Sequence, residues 1–188
     1  MAIEITETTI ILDASCIINL YASGFIEEIL QSIPKTITVT AYVVDREALW
    51  IRKLTQGVSN KEPIQLQPLI DSGLLTIVDL TGDEEFNLHL YLSSKIRDEG
   101  ESRTGAIGLQ RRWAIGLDDH KARRIFQETA VDATLLYTLD LVKHWAEVRF
   151  VAQDILTTAL CNIRWKAAYA PRKANPYREW WLLNGGPG

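Results

Sequence analysis

Short β-branched and apolar runs alternate with helical patterns along this chain, and that alternation limits its possible folds more than any other feature. Thr9–Leu12 has the composition of a buried strand and ends at an acid, Asp13. Residues 14–21 follow with Cys16, Ile17 and Leu20 at helical spacing, and Gly24 is a stop signal. Residues 25–33 read as a second helix closed by Pro34, Thr36–Thr40 as a strand, and 41–54 as a helix with Val43, Val44, Ala48 and Ile51 near one face. Residues 56–68 contain Gly57, Ser59, Asn60, Pro63 and Pro68 and form the clearest loop. Residues 74–80 predict a third strand, 83–98 a helix opened by acids, and 101–113 a helix weakened by Gly105 and Gly108. Residues 114–117 predict a short strand ending at Asp118 and Asp119. Helical patterns then occupy 120–128, 132–147 and 151–170, and the tail with Pro171, Pro176 and the glycines of 185–188 reads as irregular. Such alternation implies a parallel sheet covered by helices on its faces. Residues 1–150 are expected to form the main domain, and 151–188 a C-terminal helix and irregular tail.

At 188 residues, 47% hydrophobic and 23% charged, the chain has ordinary globular composition and can bury a sizeable core without disulfide or structural metal. Cys16 and Cys161 read as reduced, packed thiols, and a zinc site is disfavoured by the absence of CxxC and by only three histidines. No basic region followed by an apolar one opens the sequence, and no uncharged apolar run approaches a membrane span. A cytoplasmic protein with no membrane partner is expected. The net charge of −4 is unevenly spread. Residues 1–100 carry 15 acids against 7 bases, a balance of −8, and 101–188 carry 9 acids against 13 bases, a balance of +4. A basic half beside an acidic half suits a phosphate-binding face beside a metal pocket.

Asp13, Asp118 and Asp119 directly follow strands. In open parallel sheets, ligands bind beyond the carboxyl ends of the strands, so acids there point into one crevice. Glu47 and Glu101 would be unremarkable alone, but they fall in order between the two strand-end acids. Converging carboxylates raise one another's pKa values, and a divalent cation relieves the repulsion. An all-oxygen site suits Mg2+ or Mn2+, which activates water and steadies a phosphodiester in transition. A receiver-like or phosphohydrolase domain also uses strand-end acids, but Asp13-Ala14-Ser15 lacks the second acid of a DxDx[TV] segment.

Four segments, in order, resemble the PIN-domain family. IILDASCIINLY resembles its opening, with Asp13 heading the site. TVTAYVVDREALW resembles the second block and places an acid at Glu47. DEGESRTGAIGLQ resembles the third and places one at Glu101. AIGLDDHKARRIF resembles the fourth, with Asp119 as the ligand and Asp118 beside it. The resemblance covers about residues 8 to 130 and departs from the family pattern where Gly105 and Gly108 replace alanines. It implies a three-layer α/β/α sandwich and a Mg2+- or Mn2+-dependent ribonuclease, with catalytic Asp13, Glu47, Glu101 and Asp119. Asp13, Glu101, Asp119 and Asp118 would be the metal ligands. Many relatives are VapC-like toxins of toxin–antitoxin pairs, which implies an antitoxin-like partner; the extra C-terminal helices set this chain apart.

Arg103, Arg111, Arg112, His120, Lys121, Arg123 and Arg124 surround the third and fourth acids, and Arg164, Lys166, Arg172, Lys173 and Arg178 follow in the tail. Cations near a carboxylate–metal centre hold phosphates, so Ser15, Arg103, Lys121 and Arg124 are the candidate contacts to single-stranded or structured RNA. Trp113, Trp145 and Trp165 are expected in the core. Trp180 and Trp181 would dock onto the domain or onto a partner, so self-association as a homodimer is a further expectation. A PIN-like scaffold that binds RNA or protein without cutting is the competing reading.

Overall fold

The computed structural model describes residues 5–47, 49–55 and 58–188; Ala48, Gln56 and Gly57, counted above in a helix face and a loop, lie outside them. The described strands are β1 (Thr9–Leu12), β2 (Thr36–Thr40), β3 (Trp50–Thr55), β4 (Val58–Pro63), β5 (Thr76–Val78), β6 (Ala114–Gly116) and β7 (Leu135–Leu136). The helices are α1 (Ala14–Ser23), α2 (Ile26–Ser32), α3 (Ala41–Asp45), α4 (Gln67–Asp71), α5 (Gly82–Ile96), α6 (Glu99–Gln110), α7 (His120–Thr129), α8 (Thr138–Val148), α9 (Gln153–Lys166) and α10 (Arg178–Leu183).

Five strands form one parallel sheet in the order β5-β2-β1-β6-β7. The chain builds outward from β1 through β2 to β5, then returns to the other side of β1 with β6. The reversal lies between β1 and β6, and the crevice beyond their carboxyl ends is the usual ligand position in such sheets. Register is fixed there by Ile11 opposite Ile115 and Leu12 opposite Gly116, and the Asp13 amide continues the ladder to the Gly116 carbonyl at 2.9 Å.

Alternating side chains of the sheet feed two cores. Ile10, Leu12 and Ala114 join one with α1, α2, α8 and α9; Ile11 and Ile115 join the other with α5, α6 and α7. The molecule is therefore a three-layer α/β/α sandwich. The first core also takes in Leu156, Ala159, Leu160 and Ile163 of α9 and Trp181 of α10, so the C-terminal segment shares the interior of the domain. The tail read as irregular contains α10, and its Trp181 is fully buried.

Other local expectations change. The helix read over 41–54 ends at Asp45, and the segment read as a loop pairs back on its second half as the antiparallel hairpin β3–β4, from Trp50 opposite Pro63 to Thr55 opposite Val58. The hairpin's exposed Arg52, Lys53, Asn60 and Lys61 gave it a polar, turn-like composition. Trp145 is core as expected and Trp113 packs at the edge of the second core, but Trp165 is 56% exposed. Cys16 is buried and Cys161 only half-buried.

The two helix-interior glycines have a packing reason. A β-carbon on Gly105 would overlap the Phe126 ring of α7, and one on Gly108 would stand 2.7 Å from Ile115 Cδ1 and 3.0 Å from Ile11 Cγ2. Their absence lets α6 lie closer to α7 and the sheet. Gly105→Ala is expected to lose about 1–2 kcal/mol, because overpacking against a rigid ring outweighs the helix propensity alanine brings. Urea denaturation measures this; a variant as stable as the parent would show that α6 does not press on Phe126.

Candidate active site

Four chain segments bring acids to the crevice between β1 and β6. Asp13 ends β1 and caps α1, accepting from the Ser15 amide at 3.1 Å and the Ser15 hydroxyl at 2.8 Å. It is 3% exposed, and burial pushes its carboxyl up, against those hydrogen bonds and with the help of Asp98. Asp119 follows β6 and caps α7, accepting from the Ala122 amide at 2.8 Å. Parallel pairing of β1 with β6 sets both acids at the same sheet edge.

Glu101 lies in the first turn of α6. Burial raises its carboxyl to about 8, with further contributions from Asp13, Asp119, Asp98 and Glu47. Glu47 sits in a bend after α3, not in mid-helix, because α3 ends two residues earlier. Burial, then Asp13 and Asp98, raise it to about 7. Its Oε1 is buried without a hydrogen-bond partner. A β-carbon on Gly100 would overlap that oxygen, so only glycine lets Glu47 approach the start of α6 so closely.

Asp98 belongs to this group and was not singled out from the sequence. There it reads as the last residue of the preceding helix; in the structure it caps α6, accepting from the Glu101 amide at 2.9 Å. The signal was present as an Asp three residues before a Glu, a helix-start pattern. Glu99, between them, pairs instead with Arg103 at 2.8 Å and lies 3.2 Å from His89 Nε2.

Asp118 lines the same cleft as Glu101 and Asp119, but its oxygens are held by hydrogen bonds. Asn19 Nδ2 donates to it at 2.8 Å, the Thr138 amide at 3.2 Å and Tyr169 OH at 3.2 Å, and the Thr138 hydroxyl donates as well. It ties α1, α8 and the tail together, while Asp119 is the member of the pair that adds to the field at Glu101.

The predicted cations divide. Arg103 is committed to Glu99 and Asp79 and stacks over Tyr42; Lys121 donates to the Ile96 carbonyl at 3.2 Å. Arg123 holds the Leu117, Leu135 and Leu136 carbonyls at 2.8–3.0 Å with its guanidinium on the Tyr137 ring. Arg124 is exposed, with Glu128 at 3.7 Å. Ser15, Glu101, Asp118 and Asp119 line a cleft of about 370 Å³ together with His120, Tyr137, Tyr169, Arg172 and Asn175.

Among the described residues, no three His, Cys, Asp or Glu side chains already surround a common metal position. The donor chemistry nonetheless fits a hard divalent cation: every acid is a carboxylate, and one buried carboxylate oxygen lacks a partner. No family model, curated protein or solved structure matches the chain. Among the described residues, no helix is long and apolar enough to cross a membrane.

Proposed function

We propose that this chain is a metal-dependent endoribonuclease of the PIN type. The observation that carries the reading is the meeting of Asp13, Glu47, Asp98, Glu101 and Asp119, from four separate segments, at the reversal point of a parallel sheet. Such concentrated, half-buried charge costs stability, and perturbed carboxylates in a cleft mark functional sites. Asp13, Glu101 and Asp119 would hold Mg2+ or Mn2+, with Glu47 beside them. The cation would neutralise the cluster, acidify water and offset charge on the phosphodiester.

The chain's own groups do the rest. Ser15 fixes the Asp13 carboxylate through two hydrogen bonds, and the α6 and α7 amides fix Asp98 and Asp119. Glu47, held near neutral pKa with an unpartnered oxygen, accepts the proton of the attacking water. Water oxygen bonds to phosphorus as the bond to the sugar 3′ oxygen breaks; the departing 3′ oxygen takes a proton from solvent, leaving a 5′ phosphate and a 3′ hydroxyl. Single-stranded RNA is the favoured substrate, because unpaired backbone bends into a narrow cleft. A toxin role, with an antitoxin-like protein as partner, is the narrower form of the proposal and draws on the resemblance alone.

The test incubates purified protein with end-labelled single-stranded RNA and Mn2+. Cleavage that rises toward mildly alkaline pH, stops with a chelator and stops in Asp119→Asn is the expected result. Cleavage that survives either treatment overturns the mechanism. A scaffold that binds RNA without cutting is favoured by one observation, the spread of the acids short of a closed metal shell; RNA retention without cleavage in Mn2+ would establish it.

A further inference from the structure

The tail contributes to the lining of the cleft beside the acids. Ala168, Tyr169, Ala170, Pro171, Arg172, Ala174 and Asn175 line it together with Ser15, Glu101, Asp118 and Asp119. This segment is anchored at both ends. Tyr169 donates to Asp118 at 3.2 Å and packs edge-on against buried Trp181; Arg178 Nη1 reaches back to the Pro171 carbonyl at 3.1 Å; Tyr177 OH donates to Asp140. Ala168 adopts φ 58, a left-handed backbone that non-glycine residues rarely take, where the chain turns out of α9 into the wall.

Within this wall the cations differ from those near the acids in sequence. Arg103, Lys121 and Arg123 each donate to protein acceptors. Arg172 lines the cleft and is exposed, and its guanidinium, unlike its carbonyl, has no hydrogen bond or ion pair among the described residues. Its neighbour Lys173 is exposed as well but does not line the cleft. A guanidinium free to turn into an acid-lined cleft suits an anionic group bridged to the carboxylates by a cation. Arginine presents the paired donors that fit phosphate oxygens.

We propose that the tail segment 168–175 is the outer wall of the substrate cleft and that Arg172 contacts a backbone phosphate of single-stranded RNA. The inference rests on the nuclease reading for the identity of the substrate, and it can be tested without cleavage. The probe is a short, labelled, mixed-sequence single-stranded oligoribonucleotide bound to the full chain in Ca2+, across a salt series. Loss of one phosphate contact lowers the slope of log K against log salt by about 0.7. Arg172→Ala is expected to weaken binding several-fold and to flatten the slope by about that amount, Arg172→Lys to retain most of both, and Lys173→Ala to change neither. Equal effects of the Arg172 and Lys173 alanine variants, or none from Arg172→Ala, overturn the assignment. Thermal melts should match the parent, since the Arg172 side chain has no protein partner to lose. With Mn2+ in place of Ca2+, Arg172→Ala should raise KM with kcat little changed. If the parent binds the oligonucleotide in an Arg172-dependent way but never cleaves it, the nuclease reading fails while this one stands.

Discussion

Glu101→Gln is expected to abolish divalent-dependent RNA cleavage, by about 10²–10⁴-fold, while making the metal-free protein more stable at alkaline pH. The two effects have one cause. In the folded chain the Glu101 carboxyl is raised to about 8, first by burial and then by Asp13, Asp119, Asp98 and Glu47. An acid whose pKa is higher folded than unfolded binds more protons in the folded state between the two values. Stability therefore falls as pH rises from about 4.5 to about 8, and the cost is complete above that window. Glu47, raised to about 7, adds a parallel loss over a lower range. Solvent screening at these half-buried positions leaves about 1–2 kcal/mol for each. Glutamine keeps the shape and removes the charge, so the variant loses its share of the slope. A cation bound to the parent should recover the same stability, seen as a rise in Tm with Mn2+ that Glu101→Gln largely lacks. Urea denaturation at pH 6 and pH 9, with and without Mn2+, measures all of this. A variant no more stable than the parent at pH 9 would show that Glu101 does not stand in the field of the other acids.

Trp181→Ala is expected to be the most destabilising single change in the tail, at about 3–5 kcal/mol. Trp181 is fully buried in the core that α1, α8 and α9 share. Its indole N–H donates to the Pro187 carbonyl at 2.8 Å, Tyr169 packs edge-on to it, and Gly186 lies against its ring so closely that a β-carbon there would overlap. Removing the indole empties that volume and loosens the anchor of the cleft's outer wall. Trp180→Ala, at a half-buried position, should cost much less. Denaturation of the two variants tests the docking; a loss below about 1 kcal/mol for Trp181→Ala would show that the tail does not pack on this core. Trp181 is docked within its own chain, which leaves the half-buried Trp180 as the member of the pair available to a partner.

The parallel sheet was legible because its inner strands are largely buried on both faces and read as unbroken apolar or β-branched runs: β1 and β2 fall where the pattern places them, and β6 begins where expected. Asp13 and Asp119 were legible for the same reason, since they terminate those runs. The hairpin β3–β4 was not, because its Arg52, Lys53, Asn60 and Lys61 are polar and exposed and its Asn60 and Pro63 are turn residues. Glu47 was picked out for its place in the order of acids, but its bend depends on where α3 stops. Asp98 and Arg172 enter the site only through packing between distant segments, which neither helical nor strand periodicity encodes. The same holds for Lys121 and Arg103, whose nearness in sequence to the acids gave no hint that protein oxygens occupy them.

The neighbours in the central sheet are far apart along the chain: Ile10 lies opposite Ala114, and Thr38 opposite Thr76. No hairpin supplies a quick first pairing in this sheet, so closure of long loops must precede most of its stabilising contacts, a topology that folds slowly. Asp13 and Asp119 come together only when β6 docks on β1, and the outer wall follows only when Trp181 seats. The repulsion among the acids is thus felt late, after most of the apolar surface has been covered. A chain caught earlier on that route has an open sheet edge at β1 and no assembled cleft, so its exposure to aggregation and its lack of activity have one origin, the order in which distant strands meet.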